Sequence, residues 1–281
     1  MARLTDNSYG KSRVRLTKVI RHGETHSLLE LTIQIALGGE FERVYTHGDN
    51  SPCIPTDTMK NTVYALAKRT SFGCAEEFGR ILAAHFLESF GHVDWAEISI
   101  EQALWSRIEV DGKPHAHAFQ RAGSETRTAF VRGKRGDAPL IRGGLTGLDV
   151  VKTTRSGFDG FLRDQYTTLP ETTDRILATI VDATWDYGAH AGDFNAIFEA
   201  ARRTILEAFA THDSKSVQQT LYAMGEILLA RVPQLDSVSF TMPNQHRILV
   251  NLQPFGLSNE NEIFTATSEP YGLIKGTVTR E

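Results

Sequence analysis

The chain is poor in cysteine: Cys53 and Cys74 are the only two among 281 residues. Such a pair matches neither a disulfide framework nor a CxxC redox or zinc motif, so both read as reduced structural thiols. Long apolar runs are also missing, and nothing approaches the roughly 18 continuous apolar residues of a membrane-spanning helix. The start, MARLTDNSYGKSRVR, lacks the apolar segment of a secretory leader. Charge of one sign is scarce as well, because the net charge of -4 comes from acids and bases mixed along the chain. Without a basic stripe for nucleic acid or anionic lipid, a small or neutral partner and a cytoplasmic setting are expected.

What the sequence does have is periodicity. LELTIQIAL (29–37) alternates apolar and polar positions, the period of a half-buried strand, and RVRLTKVIRH before it supplies a partner. PTDTMKNTVYALAK (55–68) predicts a helix whose Thr56 and Asp57 read at face value as a cap. A second helix follows over 74–90, with Phe78, Leu82, Phe86 and Phe90 on one core-facing stripe. AEISIEQALWSRI and HAHAFQRA return to strand character.

The same order then recurs. GLDVVKTT and ILATIVDATWDY read as strands; Asp193 caps a helix carrying Phe194, Ile197, Phe198, Ala201, Ile205 and Phe209 on one face; SVQQTLYAMGEILLA is a second helix; SVSFTMPN and HRILVNL close as strands. No repeat is visible residue by residue. The element order nevertheless predicts an α+β chain of two tandem modules, 1–140 and 141–281, each an antiparallel sheet covered by a helix pair. Open sheet edges can be closed by other copies, which predicts a multi-subunit barrel.

Several short motifs carry no chemistry. Gly10-Lys11-Ser12 lacks the first glycine of a phosphate-binding loop, where Thr5 stands, and RGGLTG around Gly143, Gly144 and Gly147 reads as a turn. His115 and His117 share a strand face, but two ligands fall short of a metal site, and structural histidines are expected. Other polar and aromatic residues are not explained by packing. Lys11 directly precedes the first predicted strand, and Arg175 directly precedes a later one. Phe158 and Phe161 lie in a loop, SGFDGFLRDQYTTLPETTDR, where aromatics can stack a planar ligand. Val217 and Gln218 open a helix whose N–H groups can meet an acceptor. Asn244 and His246, in MPNQH, bracket a break between strands, and turn chemistry alone would make that PN a turn.

Taken together, YGKSRVRLTKV, PTDTMKNTVYALAK, VVKTTRSGFDGFLRDQYTTLPETTDRILAT, VQQTLYAMGEI, MPNQH, QPFGLSNENEIF and EPYGLIKGTV resemble the urate oxidase (uricase) family, in order and over nearly the whole chain. The resemblance implies the T-fold, with two modules per chain assembling into a homotetrameric β-barrel tunnel. It implies oxidation of urate by O2 to 5-hydroxyisourate and hydrogen peroxide, with no metal or other cofactor. Carried over by position, Lys11 and Thr56 resemble the family's proton-relay dyad, completed by His246, and Asp57 helps hold the ligand's far edge. Arg175 and Gln218 resemble the urate clamp, assisted by the Val217 N–H; Phe158 stacks on the purine, and Asn244 holds O2 or water above it. In the family, Lys11, Thr56 and Asp57 come from one chain and Phe158, Arg175, Gln218, Asn244 and His246 from a neighbour.

The final Thr279-Arg280-Glu281 differs from the peroxisomal tripeptide of eukaryotic members, which implies a cytoplasmic enzyme. Two alternatives stay open. One is a T-fold enzyme acting on GTP or a pterin, whose zinc form would need Cys53, Cys74, His115 and His117 to converge. The other is a silent purine-binding protein.

Overall fold

The structure is a computed structural model that describes residues 2–189 and 192–281. It divides into two compact units, Met1–Gly144 with Asp193–Asn195, and Leu145–Gly192 with Ala196–Glu281. The first holds β1 (Tyr9–His22), β2 (Thr25–Gly39), a short α1 (Glu42–His47), α2 (Thr56–Arg69), α3 (Ala75–Ser89), β3 (Val93–Val110) and β4 (Lys113–Lys134). Its strands pair antiparallel in the order β1-β2-β3-β4. Leu29, Leu31, Ile33, Ile35 and Leu37 of β2 point inward at every second position and meet Phe78, Leu82 and Phe86 of α3 in one buried core. Alternation on the strand and four-residue steps on the helix thus build the two sides of that core. Lys11 lies inside β1 rather than before it.

The second unit contains β5 (Leu140–Lys152) from Leu145 onward, β6 (Leu177–Tyr187), α4 (Phe194–Thr211) from Ala196 onward, α5 (Val217–Arg231), β7 (Leu235–Gln245), β8 (Arg247–Leu249), β9 (Phe264–Ala266) and β10 (Gly272–Thr279). Asp193 accepts the Asn195 N–H at 2.9 Å, the cap expected for α4. The sheet order is β5-β6-β7-β10, whereas β8 pairs with β9 in a separate two-stranded ribbon. The expectation that HRILVNL closes this sheet is therefore corrected: its fourth strand is GLIKGTVT. Close packing of α5 on β10 selects it. A Cβ on Gly276 would lie 2.9 Å from Leu221, and one on Gly225 2.5 Å from Val278.

Two turn expectations also give way to strand pairing. RGGLTG runs within β5, with Gly143 and Gly144 buried and Gly147 at φ 76 donating its N–H to Asp182 at 2.8 Å. Pro243 and Asn244 lie in β7, opposite Leu273 and Gly272 of β10. In both places pairing partners distant in sequence override local turn chemistry.

A repeat hidden at the level of residue identity emerges in the helix ends. In the first unit the Arg135 guanidinium donates to the carbonyls of Leu87, Phe90 and Val93, at 2.7 to 3.0 Å. In the second, Arg280 donates to Leu229, Val232 and Leu235, at 2.6 to 3.5 Å. Each arginine follows the unit's last strand and gathers three carbonyls at the same spacing where the unit's last α-helix ends. Lys18 donates to Thr70 at the end of α2 and lies over Phe72; Lys152 donates to His212 at the end of α4 and faces Phe209. Cations at C-terminal carbonyls complement the helix dipole.

Candidate functional site

The repeat breaks at two places, and both concern residues singled out in the sequence. Gly23 and Glu24 alone join β1 to β2, but residues 153–176 join β5 to β6 and carry Phe158 and Arg175. This connection folds back on itself. Phe158 and Thr172 exchange backbone hydrogen bonds at 2.7 and 3.1 Å, and the Arg175 N–H donates to Ser156 at 2.7 Å. The Arg175 guanidinium carbon lies 5.2 Å from the Phe158 ring centre, and Phe161 stacks on Phe158 at 4.9 Å. Burial lowers the Arg175 pKa, and its Nε is buried with no acceptor among the described residues.

The second break is at the helix starts. Glu76, second residue of α3, is fully buried and ion-paired to Arg127 at 2.7 Å; Arg127 also donates to Asn195 at 2.6 Å. Gln218, second residue of α5, is exposed. Ser216 caps α5 by accepting the Gln219 N–H at 3.1 Å, which leaves Val217 and Gln218 at the helix's electropositive end. The Gly157 N–H donates to Ser214 at 2.8 Å and the Ser214 N–H to Arg155 at 3.0 Å. These bonds bring the Phe158–Arg175 connection to the start of α5.

Strand register adds Asn244. It pairs with Thr179, four residues beyond Arg175, and shares strand parity with buried Phe240 and Met242, the face that α5 covers. His246 follows in the break between β7 and β8, where its carbonyl accepts the Thr267 N–H at 3.0 Å.

Lys11, Thr56 and Asp57 belong to the first unit. The β1–β2 register shifts between Lys11 and Val14, with Arg13 at φ 57. Beyond this bulge the even residues Val14 and Leu16 face the core; before it, Tyr9 does, packing edge-on to Phe41. The bulge therefore turns Lys11 to the helix side, where its charge lowers the Asp57 pKa, though the main cause of that lowering is the Lys60 hydrogen bond at 2.5 Å. Tyr9 secures the approach to α2: its hydroxyl accepts the Ile54 N–H at 2.7 Å and donates to the Ile54 carbonyl at 3.2 Å. The cap reading of Thr56 and Asp57 is corrected, because Pro55 occupies the N-cap position and no side chain caps α2. Thr56 is instead the first helical residue, half-buried.

Neither Tyr9 nor the Glu76–Arg127 pair carries a local sequence signal as part of this framework. Each depends on a partner many residues away. His115 and His117 have ring centres 4.5 Å apart, with His26 at 5.8 Å from His117, yet no three His, Cys, Asp or Glu side chains among the described residues are placed to hold a metal. Both cysteines are unpaired.

In the second unit, an aromatic plate, a guanidinium, an exposed amide and a helix N-terminus converge. They suit a planar, electron-rich heterocycle with carbonyl and ring-nitrogen edges.

Known proteins give the same direction. The family model described as Uricase matches residues 7–132 and 141–275. A uricase of Arthrobacter globiformis is 46% identical over 278 residues, covering 99% of this chain and 90% of its own length. One of Aspergillus flavus is 42% identical, over 97% of this chain and 95% of its own. The solved uricase from Arthrobacter globiformis superposes with a TM-score of 0.94 at 45% identity, covering 100% of this chain and 96% of that one. A uricase structure from Bacillus fastidious gives 0.86 at 26% identity, over 98% and 94%. The repeated sheet-and-helix units, the clamp-like cluster at α5 and these full-length similarities place the chain in the uricase family.

Proposed function

We propose that the chain oxidises urate with O2 and water to 5-hydroxyisourate and hydrogen peroxide, a step in purine degradation that uses no metal or organic cofactor. One observation carries the reading. The helix start closed by Glu76 and Arg127 in the first unit is open at Gln218 in the second, beside the added connection that holds Phe158 and Arg175.

Urate lies on Phe158, with Arg175 taking a carbonyl oxygen and ring nitrogen, the Gln218 amide matching a donor and acceptor edge, and the Val217 N–H assisting. Asn244 holds O2 or the attacking water above the ring. Lys11 takes a proton through Thr56, and His246 completes the relay, while Asp57 and its backbone border the far edge. Two electrons pass from the urate anion to O2, which leaves as peroxide, and water supplies the hydroxyl at C5. The active form is a homotetramer that closes a tunnel, with Lys11, Thr56 and Asp57 from one copy and the clamp from a neighbour. Two modules, 1–140 and 141–281, are the repeating parts. Unpaired Cys53 and Cys74 suit the reducing cytoplasm, where we place the enzyme.

Chelator-treated protein mixed with urate in air tests this directly. Loss of the urate ultraviolet band matched mole for mole by peroxide is the expected result. Persistent urate, or turnover that requires added zinc, refutes it.

A further inference from the structure

We propose that Asp174 is a positioning residue of the urate clamp, a latch that fixes Phe158 relative to Arg175; this rests on the clamp reading above. Residues 154–158 and 172–175 run back along each other, and a carboxylate joins them. The Asp174 side chain accepts from the Thr154 hydroxyl at 2.8 Å and from the Ser156 N–H at 3.4 Å. Its own carbonyl accepts from the Thr172 hydroxyl at 2.8 Å, and Thr172 is the residue paired with Phe158. The chain leaves Asp174 directly into Arg175, whose N–H is held by Ser156. One side chain thus ties the segment that leads into Phe158 to the residue that directly precedes Arg175.

The remaining ties do not replace it. The Arg163–Glu171 pair, at 3.8 Å, is half-exposed and lies farther toward the tip of the connection. Backbone bonds at Phe158 and Ser156 set the pairing of the two arms. Nearer the 154 end the two arms are tied by the Asp174 carboxylate, which takes the Thr154 hydroxyl together with backbone N–H groups of the same arm. The Asp174 carboxyl is held below its usual pKa, first by the Thr154 hydroxyl and then by backbone N–H groups, as expected for a carboxylate that organises its own loop. Stacking and a guanidinium fork both need placement within about half an ångström, so a loosened latch weakens urate binding before it touches the chemistry.

Steady-state kinetics on urate, with melting temperatures, test the proposal in the purified full-length protein. Asp174→Ala is expected to raise KM about tenfold with kcat within about twofold and Tm nearly unchanged. Thr154→Val raises KM less, Asp174→Asn, which keeps one acceptor oxygen, falls between, and the double Asp174→Ala/Thr154→Val variant matches Asp174→Ala alone because the two residues share one bond. An unaltered KM in Asp174→Ala, or effects that simply add in the double variant, overturns the latch. Should Asp174→Ala fail to fold, the KM of Thr154→Val decides, and an unchanged value overturns it. Wild-type protein that leaves urate intact would instead remove the clamp reading itself.

Discussion

One extra residue in β1 decides which way Lys11 points. Without the bulge between Lys11 and Val14, strand alternation would send Lys11 to the face away from α2. This was not legible in YGKSRVRLTKV, because a bulge appears only when the partner strand is known. The sequence names residue types for the candidate site but not their orientations, and Thr56 shows why. Its helix start was plain from PTDT, but whether its oxygen caps that helix depends on φ and ψ that place the cap at Pro55. Under the proposed roles of Lys11 in a relay and Arg175 in a clamp, Lys11→Met should lower kcat by roughly a hundredfold or more while a non-reacting urate analogue still binds. Arg175→Ala loses both, and calorimetry with the analogue separates the two. The thiols also differ. Burial, with Glu76 nearby, pushes the Cys74 pKa up to about 12, so at pH 8 it stays protonated. A thiol reagent at that pH should modify half-buried Cys53 in the native protein and Cys74 only after denaturation; rapid loss of both contradicts the buried placement.

Among the elements, strands and helices with strong periods were read correctly, such as LELTIQIAL and the phenylalanine stripe of α3. GLIKGTVT was not recognised as the last sheet strand because its burial is weak and its glycines look like loop signals. Those glycines admit α5 instead. Likewise, the equivalence of Arg135 and Arg280 could not be seen in the sequence, since what they share is a set of carbonyl partners, not flanking residues. Arg280→Ala should therefore cost about 1–3 kcal/mol in urea unfolding, through carbonyls left at the end of α5. Arg127→Ala should cost more, about 3–5 kcal/mol, because it removes the ion-pair partner of the fully buried Glu76 carboxylate. If Arg127→Ala unfolded at the wild-type urea midpoint, the pair would not be what closes the first unit's helix start.

For the whole molecule, the two units repeat one plan and diverge where ligand chemistry is proposed. Lys11, Thr56 and Asp57 lie in one unit and the clamp in the other, and the proposed tetramer makes each site from two copies. Mixing inactive subunits tests this most directly. Lys11→Met and Arg175→Ala proteins are unfolded together and refolded as mixed oligomers, and urate turnover is compared with that of each variant alone. A site shared between copies gives an intact relay facing an intact clamp at about one quarter of positions, so roughly a quarter of wild-type turnover should return. No recovery in verified mixed oligomers would mean that relay and clamp act within a single chain, or not as one site at all.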